Sequence, residues 1–383
     1  YENSDIPMKR VKAQELILDL LKERAETGRI YLMNIDHCNS HSSFLDKVEM
    51  SNLCQEITLP TKPIQHIDDE NGEIALCILS AVNIGKIRDL SDLEVLCDLS
   101  VRSLDELIDF QQYPVKAAEL ATKARRSLGV GYIGLAHYFA KNGVKYEDQR
   151  AWQLVHDLTE AFQYYLLKST VSLAKEKGAC KYSDRTKYGN GILPIDTYKH
   201  DVDEIVPNKL KFDWEDLRNQ VKEYGVRNST LSAQMPSESS SVVSNATNGI
   251  EPPRGYLSIK KSKKGPLKQI VPGYQYLKNN YTLLWDMTSN KGYINVVAVM
   301  QKFFDQAISG NWSYNPEHYP DNEVPVSVMA QDLLTTYKYG WKTSYYQNTY
   351  DIKTDEIEEE KPNLNELVTS ILTEEEDCES CKI

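Results

Sequence analysis

Three side chains spaced by two, Asn52, Cys54 and Glu56, put an amide, a thiol and a carboxylate into one short stretch, Ser51-Asn52-Leu53-Cys54-Gln55-Glu56. In an extended chain that spacing turns all three to one face, which sets a thiol beside a proton acceptor. The same pattern describes a strand with one solvent-facing side and an incidental cysteine, and spacing leaves both readings open. Cys77 lies in an apolar run, Ile74-Ala75-Leu76-Cys77-Ile78-Leu79. It is either core filler or a thiol that cycles through a disulfide, whose partner folding must bring near. Cys378-Glu379-Ser380-Cys381 is a CxxC beside the C-terminus, among Glu374, Glu375, Glu376 and Asp377. Carboxylates raise thiol pKa values, and the pair reads as a reactive dithiol on a flexible arm; as a zinc half-site it lacks a second pair.

Tyrosine outnumbers phenylalanine, 24 to 7, and a phenol can lose one electron where a phenyl ring cannot easily do so. Tyr345-Tyr346 follows Lys342-Thr343-Ser344 in an extended run, where adjacent rings point to opposite faces and ordinarily serve packing. Pro236-Ser237-Glu238-Ser239-Ser240-Ser241 is rich in hydroxyls. A serine after proline can cap a helix whose N-terminus binds phosphate, or the stretch is a plain serine-rich loop. No GxxxxGK[ST] is present, so nucleoside triphosphate hydrolysis gains no support. His37, Cys38 and His41 have no second His/Cys cluster close by in sequence, which favours a hydrogen-bonded turn over a metal site. Lys260-Lys261-Ser262-Lys263-Lys264-Gly265 reads as a solvated hairpin or loop.

The elements that must position these residues follow from periodicity. Apolar residues at helical spacing predict helices over 8–27, closed by Gly28, and over 94–112, 115–142, 151–178, 293–308 and 328–339. Extended segments are expected at 30–35, 52–59, 73–80, 255–260 and 344–347, and strands alternating with helices predict an α/β fold. The 383 residues are 41% hydrophobic, enough for a sizeable core. The mean hydropathy is −0.51 and no apolar run approaches a membrane span. The formal charge is −12 and the pI about 5.2, which argues against a nucleic-acid partner. Twelve acidic and three basic residues fall between Asp351 and Ile383, and this acidic stretch is expected to be a mobile tail. Seven cysteines without dense spacing exclude a secreted disulfide scaffold, and a reducing cytoplasm fits best. The first residue is Tyr rather than Met, so the chain is expected to begin inside something larger.

Taken together, these stretches resemble the large, catalytic subunit of class I (aerobic) ribonucleotide reductases. The likeness rests on Ser51–Glu56, Asn71-Gly72-Glu73-Ile74-Ala75-Leu76-Cys77, Pro236–Ser240, Asn245–Gly255 (with Gly249-Ile250-Glu251-Pro252-Pro253-Arg254), Tyr345-Tyr346-Gln347-Asn348-Thr349 and the terminal cysteine pair, all in the family's order. The resemblance implies a ten-stranded α/β barrel of two five-stranded halves. This chain would supply the end of the first half-barrel (1–50), the second half-barrel with the active-site loop (51–350) and a redox tail (351–383). The ATP-cone domain, the effector-binding loops and the cysteine that pairs with Cys77 have no counterpart here, which implies the C-terminal portion of a divided or truncated subunit.

The resemblance also implies roles. Cys54 would carry a thiyl radical, Glu56 would take the proton of the substrate 3′-hydroxyl, Asn52 would hold that hydroxyl, and Cys77 would be one of two reducing thiols. Ser237, Glu238, Ser239 and Ser240 would bind the diphosphate of a ribonucleoside diphosphate. Tyr346 and Tyr345 would relay oxidation from a small subunit bearing a di-iron or other di-metal tyrosyl radical. Cys378 and Cys381 would re-reduce the active site and be reset by thioredoxin or glutaredoxin. No metal or other cofactor is expected on this chain itself, and nucleotide effectors would bind the N-terminal partner fragment. Competing readings are a non-catalytic scaffold, which has no need of the redox residues, and a thiol–disulfide carrier, which does not need 350 residues of ordered chain.

Overall fold

A computed structural model describes residues 9–262 and 265–351. Its strands are β1 (Leu32–Met33), β2 (Ile78–Asn83), β3 (Leu128–Ile133), β4 (Leu257–Ser262), β5 (Gly265–Ile270), β6 (Trp312–Tyr314), β7 (Thr343–Ser344) and β8 (Gln347–Thr349). β2 and β3 pair in parallel, in register from Ile78↔Leu128 to Asn83↔Ile133. Parallel bridges Val130↔Ser232 and Gln234↔Ile308 extend the pairing through two further segments. The Val130 N–H donates to Leu231 O at 2.8 Å, Ser309 N–H to Gln234 O at 2.9 Å and Tyr345 N–H to Gly310 O at 2.8 Å. β6 then pairs with β8 in parallel. The outcome is a run of parallel segments, 78–83, 128–133, 230–235, 306–314 and 343–349, joined largely by helical crossovers as an α/β chain requires. Among the described residues no ladder joins β2 to β8, so the run is an open layer and not a closed barrel.

The structure corrects the reading of 115–142 as one helix. Lys116–Arg125 is helical, Arg126 turns left-handed at φ 50°, β3 follows, and helix Leu135–Asn142 begins after Gly134. All six residues of β3 are buried, and a strand covered on both faces loses the alternation that marks strands in sequence. Its glycines are required by close approach. A Cβ on Gly129 would lie 2.5 Å from Leu79 Cδ2, and one on Gly131 would lie 2.6 Å from Ala233 O.

Helices cover this layer. Gln149–Lys177 buries Val155, Leu158, Phe162 and Leu166 and packs against Asp92–Phe110. Phe162 meets Tyr132 edge-on at 5.4 Å and stacks on Phe304 at 6.0 Å. Asp105, fully buried, binds Arg126 Nε at 2.6 Å and Arg227 at 3.2 Å, so the carboxylate enters the core paired. The first helix spans Ala13–Thr27 and ends at Gly28 with φ 68°, as its sequence predicts. Of the basic 260–265 stretch, Lys260–Ser262 end β4 and Gly265 opens its antiparallel partner β5. His37 and Cys38 sit on a short helix, Ile35–Ser40. The two imidazoles have separate partners: His37 Nδ1 lies 2.9 Å from Trp341 O, while His41 Nε2 lies 2.7 Å from Gln301 O and its Nδ1 2.9 Å from Thr197 Oγ1. Among the described residues no His/Cys/Asp/Glu group is arranged to hold a metal, and no helix is long and apolar enough to cross a membrane.

Candidate active site

Residues 52–59 form a turn and loop, not the strand that their spacing predicts. Gln55 adopts φ 68°, its N–H donates to Asn52 O at 3.1 Å, and Asn52 Oδ1 accepts the Ile57 N–H at 3.1 Å. The Asn52 amide oxygen therefore closes the turn from which Cys54 projects. With its nitrogen facing them, the Gln55 amide reaches Leu32 O at 3.0 Å and Ser344 O at 3.1 Å, bridging β1 and β7. The loop then runs along 306–309. Ser309 Oγ donates to Cys54 O at 2.6 Å and lies 3.2 Å from Glu56 Oε2, and the Ala307 N–H donates to Glu56 O at 3.0 Å. Glu56 is buried while Cys54 is partly open. The backbone that carries the thiol and the carboxylate of Glu56 thus meet at one serine, a residue with no signal in the sequence.

On the other side of Cys54, the Tyr345 hydroxyl donates to Sγ at 3.4 Å. Tyr345 and Tyr346 lie between β7 and β8, outside either ladder. Released from strand geometry, their rings do not point to opposite faces; their centroids are 4.1 Å apart. Tyr345 is buried, whereas Tyr346 is 37% exposed, so the pair leads from the surface to the thiol. A third ring joins them. β1 and β7 run antiparallel with Leu32 opposite Ser344, which sets Tyr31 opposite Tyr345, and its centroid lies 4.7 Å from that ring and 5.4 Å from Tyr346. Burial, then the contact with Cys54, pushes the Tyr345 phenol far up. Hydrogen bonding with Tyr31 and then Tyr345 draws Tyr346 down.

The backbone of the tyrosine pair is pinned from two directions. Arg24, fully buried on the first helix, donates to Tyr345 O at 2.9 Å, to Tyr346 O at 3.3 Å and to Ile30 O, and lies over the Trp312 ring at 4.7 Å. Asn311 accepts the Tyr346 N–H at 3.0 Å and donates to the Glu251 carboxyl. Burial raises the Glu251 pKa, and this residue belongs to the Asn248–Gly255 stretch singled out in the sequence. Lys342, fully buried, donates to Phe304 O, Asp305 O and Gln306 O at 3.1, 2.9 and 2.8 Å. Burial pulls its pKa down to about 7, yet three carbonyls are arranged to use all three N–H donors of the charged form.

Cys77 immediately precedes β2, at the opening end of the parallel run. Gln306 Nε2 donates to its Sγ at 3.5 Å, and burial pushes the thiol up to about 12. Glu56 is near enough to Cys77 to add to that rise. Cys54, Glu56 and Cys77 are therefore each held against one segment, 306–309. Ser237–Ser240 follow segment 230–235, where Ser237 precedes the short helix Glu238–Val243. Ser237 Oγ donates to Met235 O at 3.1 Å and does not cap that helix. The stretch lies past the carboxyl end of a parallel segment, where open α/β layers bind ligands. Cys378 and Cys381 lie outside the described residues; all five described cysteines are free thiols.

The arrangement can move a hydrogen atom between a phenol and a thiol, beside a carboxylate that can take a proton. A matching family description is the ribonucleotide reductase barrel domain, over residues 1–347. The chain is 58% identical over 355 residues to the ribonucleoside-diphosphate reductase subunit alpha of Haemophilus influenzae, covering 92% of this chain and 47% of that relative. It is 53% identical over 389 residues to the Escherichia coli ribonucleoside-diphosphate reductase 1 subunit alpha, covering all of this chain and 50% of the relative. Against the subunit alpha of Enterobacteria phage T4 it is 42% identical over 390 residues, again covering 50% of the relative. The chain spans about half the length of the curated relatives it matches. It belongs to the ribonucleotide reductase barrel-domain family.

Proposed function

We propose that the chain is the catalytic C-terminal part of a class I ribonucleoside-diphosphate reductase large subunit, the second half of its ten-stranded barrel followed by a redox tail. The single observation that carries the reading is the Tyr345 hydroxyl donating to Cys54 Sγ at 3.4 Å, with Ser309 tying Cys54 to Glu56. A small-subunit radical oxidises Tyr346, then Tyr345, whose phenoxyl takes the hydrogen atom from the Cys54 thiol. The thiyl radical abstracts the 3′ hydrogen of a ribonucleoside diphosphate, and Glu56 accepts the 3′-hydroxyl proton. Asn52 holds that hydroxyl, turning from its place in the loop. The 2′-hydroxyl leaves as water. Cys77 and a cysteine of the N-terminal fragment supply two electrons and end as a disulfide, and the 3′ hydrogen returns from Cys54.

Ser237, Glu238, Ser239 and Ser240 hold the diphosphate. Cys378 and Cys381 reopen the disulfide and are reset by thioredoxin or glutaredoxin in a reducing cytoplasm. Exposed Leu16, Ile17, Leu45, Met50 and Leu53 support a large apolar interface with the N-terminal fragment. The test is reconstitution: this chain, the N-terminal fragment and the small subunit together should reduce CDP with a dithiol, and each alone should not. Turnover by this chain with small subunit and dithiol alone would overturn the reading.

A further inference from the structure

Gln306 is fully buried, and all of its amide is engaged. Its Oε1 accepts the Thr58 N–H at 3.2 Å, while Nε2 donates to Leu128 O at 2.9 Å and to Cys77 Sγ at 3.5 Å. The orientation is enforced. Rotating the amide by half a turn would set its NH2 against the Thr58 N–H and its oxygen against the Leu128 carbonyl, losing both bonds. One N–H must therefore face the sulfur. The backbone behind is held as well: the Gln306 N–H donates to Ser232 O at 3.1 Å, and Lys342 binds the Gln306 carbonyl at 2.8 Å. Opposite, Gly129 leaves space at the sulfur that a Cβ would enter, at 3.0 Å from Sγ. Cys77 is thus a sulfur with a fixed donor on one side and the backbone of Gly129 packed closely on another.

We propose that Gln306 is a catalytic residue that stabilises Cys77 as the leaving thiolate when the active-site disulfide is reopened. The inference rests on the function proposed above. In that step a thiolate of a dithiol reductant attacks the sulfur of the cysteine paired with Cys77. A new S–S bond forms to the reductant, the old one breaks, and the electron pair stays on Cys77 Sγ before it takes a proton from the reductant's second thiol. A thiolate accepts a hydrogen bond more strongly than a thiol does, and a better-stabilised thiolate leaves faster. Glu56 and Asp305 are the acidic groups facing Cys77, and both oppose negative charge there. Gln306 is the donor set against them, so it directs attack to the partner sulfur and departure to Cys77.

The test uses the full chain, reduced, with iodoacetamide as the probe and peptide mass spectrometry as the readout. Gln306→Glu keeps the shape and the acceptor for Thr58 while removing the N–H donor; Gln306→Met removes the whole amide. Both should slow Cys77 alkylation roughly tenfold at a fixed, mildly alkaline pH, with the Cys54 rate unmoved. Cys97, buried in the main core, reports folding by staying unalkylated. An unmoved Cys77 alkylation rate in a folded variant overturns the assignment. Cys77→Ser in the reconstituted enzyme separates the two readings. If it still turns over with a dithiol, Cys77 is no reducing thiol and both fall; if it does not while the alkylation rates stay put, only the role of Gln306 falls.

Discussion

Arg24→Met tests how the tyrosine pair is held. Methionine fills a similar length of apolar space but donates nothing, so the carbonyls of Ile30 and Tyr345 lose a donor at a buried site. The Tyr346 carbonyl keeps a second partner, the Trp312 N–H at 2.9 Å. Each stranded carbonyl costs roughly 1–3 kcal/mol, and the guanidinium over Trp312 adds about 1 kcal/mol. Against this, the substitution removes a buried charge, and burial has already pulled that pKa down to about 10. The net loss should be roughly 2–4 kcal/mol. Urea unfolding followed by tryptophan fluorescence should show a lower midpoint, and Cys54 should alkylate faster at low urea because its cover loosens. Arg24→Lys should fall between, since one ammonium cannot span the carbonyls that the guanidinium fork reaches. An unchanged midpoint with unchanged Cys54 reactivity in Arg24→Met would refute this reasoning.

Three further outcomes are expected. Tyr345→Phe and Tyr346→Phe should each abolish CDP reduction in the reconstituted enzyme while leaving the urea midpoint nearly unmoved; near-normal turnover in either would reduce the pair to packing. Burial, then Lys141 and Lys86, lowers His137 to about 4, so below pH 6.5 the unfolded chain takes a proton that the folded one refuses. Stability present above pH 6.5 should fall as pH drops towards 4, and His137→Gln should flatten part of that fall in urea midpoints measured between pH 7 and 4.5; parallel curves would contradict it. Cys378→Ser with Cys381→Ser should leave the first turnover of pre-reduced enzyme intact, stop thioredoxin-driven cycling, and be rescued by a small dithiol; normal cycling would make the tail a mere terminus.

Gly28 closes its helix as predicted, because a glycine stop needs no tertiary context. The helix expected over 293–308 ends instead at Gln301, since the apolar residues after it belong to the parallel run. β3 was illegible because Leu128–Ile133 is buried on every side, and only neighbours such as Leu79 and Ala233 reveal why Gly129 and Gly131 are there. The turn at Cys54 was misread as a strand because the residue types alternate, while Gln55 takes a backbone conformation that nothing in its side chain announces. The pair Tyr345-Tyr346 stands out in the sequence as a candidate relay, but its surroundings do not. Arg24, Tyr31, Gln306 and Ser309 reach the site from distant segments, and only strand register and loop path place them beside it. Sequence spacing reports what one element does; the site is built between elements.

The radical is proposed to reach the substrate through the Cys54 sulfur. The most direct measurement is CDP reduction by the reconstituted enzyme carrying Cys54→Ser, with binding of CDP and assembly checked on the same preparation. A serine O–H is too strong a bond for the Tyr345 phenoxyl to break, whereas the change in volume is small. The complex should assemble, bind CDP and form no dCDP. Reduction above a few per cent of the unaltered rate would contradict that route.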